Sequence, residues 1–586
     1  MSVGFENGRI VVKGKAFEEV PFDMGSESVS VVADGKGGLL SYRVNDREEN
    51  FVAPFLSLTL FAEGSPISAS TPKTVTMIGR KQEIEWDLGK GKVFLTVFLS
   101  KGVNGVFFSL RSALDLSFSL DLRAAKGMPS ARSARFASGD LRFSSSEEIE
   151  WSKENECFYG CVKDQIEMLL TFGGEEGAHR EAFSAFDEAL AETEREIEAV
   201  LPPRSAQSEE EKALYCLSCF AALENFKRSK KFAAFAAGGN YIYPLRTYFR
   251  DSYFTVLSMF ERNPELIRSE ILTLAEGIDE NGSCPSAVKS DFSSFWGEHF
   301  DSPSLFVLEV FDYVTHTEDE SILFEKTKGG TVLGEIKRIL EKLSESADET
   351  GLIYKEGKNR RDWADEVNRG GYVTYVEALY ARALLAASEL YKGKDDALSA
   401  LFAARSETVK KAINALLFDE EKGYYVNFKT RDFTEDNLSI DTVFTVLFGI
   451  APEDRARSVL SAMERLLESG NNRVAEEDFG AMCVYPLYER EGEAVHKSAR
   501  PFDYHNGANW PFLTALYAYA KSLYGMEYRK VLLSPLTFAV KRGIYTAVEY
   551  FSPYCKAGSC LQAWSSAAAF VYDRLGKEIF FKNKGE

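Results

Sequence analysis

Several classes of protein are excluded by what this sequence lacks. Basic residues are in deficit: 69 Lys and Arg against 89 Asp and Glu leave a formal charge of −20. No basic run stands apart from compensating acids, so neither nucleic acid nor an anionic membrane is an expected partner. Cysteine is dilute, eight in 586 residues, which excludes a disulfide framework. Cys216 and Cys219 form a CxxC within LYCLSCFAAL, but no second CxxC or nearby His completes a zinc site. Buried thiols in an apolar helix are the expectation there. No stretch of about 18 apolar residues runs free of charge, and MSVGFENGRIVVKGKAFEEV lacks a basic region followed by an apolar one. A soluble, cytoplasmic protein is expected. The HExxH, GxSxG, Walker and strand-to-helix GxGxxG patterns are missing, which argues against protease, esterase, kinase and dehydrogenase chemistry. No metal and no cofactor are expected.

What is present is an ordinary globular composition, 45% hydrophobic and 27% charged, in a chain too long for one compact core. From Gly8 to about Leu170 the pattern has period two: RIVVKG, SVSVVADG, FLSLTLFA, EIEWDLG, KVFLTVFLS and GVFFSLRS alternate between turns of Gly, Asp, Asn and Ser. That reads as antiparallel strands forming a β-sandwich. A charged helical stretch then ends at Pro202 and Pro203. From Ser208 onward nearly every segment is apolar at i, i+3, i+4 and i+7, with room for about twelve helices. The expected division is a sandwich over 1–178, a helical linker over 179–207 and an α-helical domain over 208–586. Loops between alternate helices are long and rich in Trp, Tyr, Asp and Gly, and helical hairpins closing into a ring would gather them on one face.

Four of these loops carry candidate chemistry. In RRDWADEVNRGGY, Asp362, Asp365 and Glu366 crowd Trp363; a carboxyl beside an apolar ring and other acids has reason to titrate high, as a general acid must, although a solvated acidic loop has the same pattern. In TAVEYFSPYCKAGSCLQAWSS, Glu549 sits among Val548, Tyr550 and Phe551, so it needs a partner or faces a cleft. In YPLRTYFRDS, Arg250 and Asp251 follow Arg246 and Tyr248. Adjacent Arg and Asp can bind neighbouring hydroxyls of a polyol, or form an internal salt bridge with Asp251 or Ser252 capping the next helix. In RPFDYHNGANWP, Tyr504, His505 and Asn506 precede Trp510, a ring able to stack on a sugar, with Asn506 as a polar contact and Pro511 starting a helix. His505 has a purely structural reading as well. Two carboxylates from separate loops are what glycosidic cleavage requires.

Together the loops resemble the inverting glycoside hydrolases built on an (α/α)6 barrel, which include glucoamylase, the glucosidase part of glycogen debranching enzymes, trehalase and the processing α-glucosidases of glycoside hydrolase family 63. FRDS is similar to the family's early Arg-Asp pair, DWADEVN to its acid loop, YHNGANWP to its late YH[NQ]GxxWP segment, and EYFSPYCKAGSCLQAWS to its base loop, all in the family's order between about residues 235 and 575. The resemblance implies a multidomain fold, an antiparallel β-sandwich followed by an (α/α)6 barrel. It implies Asp365 as general acid, or its neighbour Glu366, and Glu549 as general base. Arg250 and Asp251 would hold the glycone, and Tyr248, Trp363, Glu366, Tyr504, His505, Asn506, Trp510 and Trp564 would line the cleft.

On that reading the substrate is a carbohydrate and the reaction a single displacement of an α-glucosidic bond, with the carboxyls about 6.5 to 9.5 Å apart to admit a water. Two alternatives share the architecture: a glycoside phosphorylase, in which phosphate replaces water and the base is dispensable, and a non-catalytic carbohydrate-binding toroid. Linkage, substrate size and oligomeric state are left open.

Overall fold

A computed structural model describes residues 1–47, 51–122, 133–135, 141–152, 157–172, 175–356, 361–488, 500–554 and 557–581. The N-terminal part is two antiparallel sheets. One has nine strands in the spatial order Ser2–Glu6, Arg9–Lys15, Pro72–Ile78, Lys81–Asp87, Lys92–Phe98, Gly105–Ser112, Gln165–Phe172, Leu141–Ser145 and Ser133–Arg135. The other is built on Phe51–Ala62, Leu116–Leu122 and Cys157–Val162 on one side and Leu39–Val44, Val29–Ala33 and Phe22–Gly25 on the other. Alternation in the sequence becomes alternation in burial: Val75, Met77, Ile84, Trp86, Val93, Leu95 and Val97 of the first sheet meet Leu56, Leu60, Leu116, Phe118 and Leu120 of the second.

The charged stretch after the sheets forms two helices, Glu176–Ser184 and Phe186–Ala199, rather than one, because the helix is interrupted at Ala185. The next helix, Glu209–Leu223, starts at a capping box, Ser208 with Glu211. Cys216 and Cys219 lie in it, buried and free, and burial pushes the Cys216 thiol up to about 12. The sandwich and the helices share one apolar core. At their junction the buried Lys227 ammonium donates to Ser26 O, Val29 O, Ser30 Oγ and Glu224 O at 2.6 to 3.3 Å, so its charge is solvated by protein oxygens instead of water.

The remaining helices alternate between two layers. Six inner segments, Phe249–Val256, Ser302–Thr317, Thr374–Tyr391, Ile440–Leu447, Pro511–Leu523 and Ala563–Arg574, are buried on nearly every side, as apolar residues around a whole helix demand. Each touches the next, and the last returns to the first, which closes the ring. Around them Pro264–Ala275, Val332–Ser344, Asp396–Leu416, Glu453–Leu466 and Arg529–Lys541 are amphipathic, with one face buried, while the sixth outer helix, Glu209–Leu223, is buried on nearly every side. This is an (α/α)6 barrel.

The connections explain where a site can form. Passages from an inner to an outer helix are short, as at 392–395, 448–452 and 524–528. Passages from an outer helix back to the next inner one are long, as at 276–301, 345–373 and 542–562. Every candidate residue lies in one of these long passages or in the first turn of the inner helix it enters. Hydrogen bonds such as Asn225 to Leu561 and Gln562 to Asp251 gather the passages at one end of the barrel.

No helix among the described residues is long and apolar enough to cross a membrane.

Candidate active site

Three carboxyl groups from three parts of the chain lie close enough for their charges to interact. Asp251 comes from the first turn of Phe249–Val256, Asp365 from the loop before Thr374–Tyr391, and Glu549 from the loop before Ala563–Arg574. Asp365 and Glu549 are partly exposed, Asp251 is 7% exposed. Burial pushes Asp365 up to about 6; Arg250 opposes this, while Glu366 and Asp362 add to it. Burial likewise lifts Glu549 to about 6, opposed by the Ser559 N–H and reinforced by the charge of Asp365. Asp251 rises to about 7 through burial, against Arg250 and with help from Glu549 and Asp365. Mutual repulsion of this kind needs proximity in a medium poorer in water than the surface.

Each carboxyl is held by its own donor. Glu549 Oε2 accepts from the Ser559 backbone N–H at 3.1 Å, and Ser559 Oγ reaches the Tyr241 hydroxyl at 3.2 Å. The base loop is tied across by single bridges, Val548 to Cys560 and Phe551 to Ala557. Asp251 Oδ1 accepts from Gln562 Nε2 at 3.2 Å. Asp365 Oδ1 accepts from the Tyr504 hydroxyl at 3.4 Å.

Arg250 does not pair with Asp251. Its guanidinium grips Asp301 through Nε at 2.7 Å and Nη2 at 3.2 Å, and donates to His299 Nδ1 at 2.9 Å. Asp301, from the next passage, also accepts from the Tyr375 hydroxyl at 3.2 Å. Burial and the neighbouring Arg250 push His299 down to about 4, so its Nδ1 stays available as an acceptor. The capping alternative also fails: the N-cap is Tyr248 with no side-chain cap bond, and Ser252 donates to Glu309 inside the core. Tyr248 is 6% exposed and its hydroxyl accepts from Arg246 Nε at 2.8 Å.

Of the three acids around Trp363, Asp362 behaves opposite to the expectation of a high titration. It is fully buried, which works against its charge, but Arg369 and then Lys355 outweigh that and hold it well below the usual carboxylate range. Lys355 Nζ lies 2.6 Å from Asp362 Oδ2, and Arg369 bridges Asp362 and Asp441 at 2.6 Å to each. Arg369 also donates to Asn427 Oδ1 at 3.1 Å, and the Trp363 indole N–H donates to Asp441. This network pins the loop that ends in Asp365 and leaves Asp365 itself outside the pairing.

The aromatic residues lie beneath the site rather than open to it. Trp363, Trp510 and Trp564 are 3%, 1% and 4% exposed. Trp510 stacks on His505 at 4.7 Å and on Tyr550 at 5.4 Å, Trp363 meets Trp510 edge-on, and Trp564 stacks on Phe512. None is a bare platform for a sugar; they form the wall on which the polar groups stand. Asn506 is fully buried and its amide is committed to the Tyr488 backbone, accepting from N at 2.7 Å and donating to O at 3.1 Å. His505 is buried, kept neutral by burial and by Arg369, and its Nδ1 accepts from the Glu366 N–H at 3.4 Å. Asp301, His299, Asp441, Arg369, Tyr241 and Ser559 were not among the expected residues: Asp301, His299, Asp441 and Tyr241 reach their partners across dozens or hundreds of residues, and Arg369 and Ser559, though close in sequence to Asp362 and Glu549, carry no distinctive local pattern.

The arrangement supplies two tunable carboxyls, an ionic frame and no grouping of His, Cys, Asp and Glu suited to a metal ion among the described residues. The family model for amylo-alpha-1,6-glucosidase matches residues 239–571, a span that contains every group just described. Among solved structures, a bacterial glucoamylase complexed with acarbose superposes with a TM-score of 0.63 at 10% identity, over 98% of this chain and 99% of that one. A rhamnosidase from Klebsiella oxytoca with rhamnose bound aligns at 13% identity and a TM-score of 0.49, over 95% of this chain and 98% of that one. No curated protein matches.

Proposed function

The chain belongs to the amylo-alpha-1,6-glucosidase family and is a glycosidase of the (α/α)6-barrel superfamily; from that premise we propose that it hydrolyses an α-glucosidic bond with inversion, Asp365 acting as general acid and Glu549 as general base. The observation that carries this reading is the pair of partly exposed carboxyls, both lifted to about 6, with the charge of Asp365 reaching Glu549. A general acid must hold its proton near the working pH and a base must have lost one, and two carboxyls that titrate in that range provide both forms.

In this mechanism Asp365 protonates the glycosidic oxygen as the bond to the anomeric carbon lengthens. A water, its proton taken by Glu549, attacks the opposite face, and β-glucose leaves an α-linkage. The Ser559 N–H fixes one oxygen of Glu549, leaving the other for the water. Arg250 is held rigid by Asp301 and His299, which favours its service, with Asp251, as a preset contact for the sugar hydroxyls. Glu549 itself weighs against phosphorolysis, which needs no such base. We assign catalysis to residues 208–586 and give the sandwich, residues 1–178, a supporting role along one rim; the family's name points to an α-1,6 bond as the first linkage to try.

The test is glucose release from isomalto-, malto- and trehalose-type substrates, with acarbose, the ligand of the glucoamylase of similar fold, as competitor. Turnover that acarbose suppresses and that Asp365→Asn and Glu549→Gln abolish supports the reading. Full activity in either variant would remove that residue from its role.

A further inference from the structure

Tyr504 holds a position that cleft-lining does not explain. Its backbone is in the left-handed region at φ 45°, where a residue with a Cβ is strained. The strain is held in place by packing: the ring contacts His505, Trp510 and Tyr550 at 4.2 to 4.9 Å, and its own carbonyl accepts from the Trp510 indole N–H at 3.2 Å. The outcome is a hydroxyl pointed at Asp365 Oδ1, and Tyr504 is the hydrogen-bond donor to that carboxyl among the described residues. The other nearby group, His505 Nδ1, lies 3.8 Å from Asp365 Oδ1, beyond hydrogen-bond reach.

We propose that Tyr504 is a positioning residue for proton delivery: its hydroxyl occupies Oδ1 of Asp365, confines the transferable proton to Oδ2, and stabilises the carboxylate left behind. The inference rests on Asp365 being the acid. As the proton moves from Oδ2 to the glycosidic oxygen, negative charge grows on Asp365, and the bond from Tyr504 strengthens as that charge forms. The same ring touches Tyr550, the neighbour of Glu549, so one strained residue ties the acid to the base loop.

The charged and titratable groups around Asp365 set the sign of the test. Arg250 and Asp251 face it from the first inner helix and Tyr248 from the residue that precedes that helix, Glu549 from the base loop, and Asp362 and Glu366 from its own loop. Of these Arg250 favours the ionised form and the acids oppose it; the Tyr504 hydroxyl favours it. Removing that hydroxyl therefore moves the alkaline limb of the pH–rate profile to higher pH.

Tyr504→Phe keeps the ring and its packing. Its kcat is expected to fall about ten- to hundredfold, the range for a hydrogen bond to a charged partner, with little change in KM, an alkaline limb at higher pH, and the product anomer unchanged. Tyr550→Phe, whose ring packs alongside, should leave the limb in place. Should Tyr504→Phe fail to fold, 3,5-difluorotyrosine at position 504, a stronger donor, should move the limb downward. An unmoved limb in both Tyr504 variants, or a loss confined to KM, overturns the inference while leaving Asp365 as acid. An active Asp365→Asn overturns the acid assignment and the inference together.

Discussion

Replacing Asp251 by Asn should stabilise the protein while damaging its activity, with a stabilisation that grows with pH. The side chain is 7% exposed, and burial has lifted its carboxyl from an ordinary 3.8 to about 7. A carboxyl raised in the folded state gives its full stability only below the unfolded value, near pH 4, and loses it as pH climbs through the folded value, near 7. Asn mimics the protonated form at every pH and can still accept from Gln562 Nε2. The advantage of Asp251→Asn should thus be small near pH 4, rise by about 1.4 kcal/mol per pH unit, and level off above pH 7 on the order of 4 kcal/mol. Because a sandwich and a barrel need not unfold in one step, the comparison is between urea midpoints of the two proteins at each pH from 4.5 to 8. Glucose release should meanwhile fall steeply, since the amide cannot accept from sugar hydroxyls at both of its atoms as a carboxylate can. Equal midpoints at pH 8, or a difference independent of pH, would refute the claim that burial and repulsion set this carboxyl's titration.

Other outcomes follow from the same geometry. Activity should peak near pH 6 and decline on both sides, because Asp365 and Glu549 are both lifted to about 6; a pH–rate profile flat from 5 to 8 would contradict it. Asp365→Asn and Glu549→Gln should each lower kcat by about 10² to 10⁴, measured with substrate saturating. Gly558→Ala would set a methyl 2.7 Å from Glu549 Oε2 and 2.6 Å from the Tyr550 ring, so it should lower kcat strongly with a small change in urea midpoint. Arg369→Met leaves Asp362 and Asp441 buried without their bridge and should destabilise by about 3 to 5 kcal/mol, visible as an earlier denaturant transition.

The legible parts of the fold were those with a local period. Alternation in KVFLTVF and EIEWD marked strands, and the helical spacing of SLFVLEVFDYV marked a helix, whereas its place in the inner layer shows only in its burial on nearly every side. The loops bearing Asp365, Glu549 and Arg250 were conspicuous because polar and aromatic residues interrupt an otherwise helical pattern. What was hidden was pairing. Arg250 and Asp251 are adjacent, so a salt bridge between them is the natural expectation, yet helical geometry turns neighbouring side chains about 100° apart and Arg250 finds Asp301 instead. Asp362 and Asp365 look alike in sequence and titrate in opposite directions, because Lys355 and Arg369, from the two flanks of the same passage, converge on the first alone. Trp510 reads equally well as a stacking surface or as a wall; only the packing of His505 and Tyr550 upon it decides for the wall.

The most direct test of the central claim is proton NMR of the sugar in the first minutes of hydrolysis of an α-glucoside that the enzyme turns over. The account predicts that β-glucose appears first and the α anomer only as mutarotation proceeds. α-Glucose as the first product would mean a retaining double displacement, and would contradict the assignment of Asp365 and Glu549 as an acid and a water-activating base.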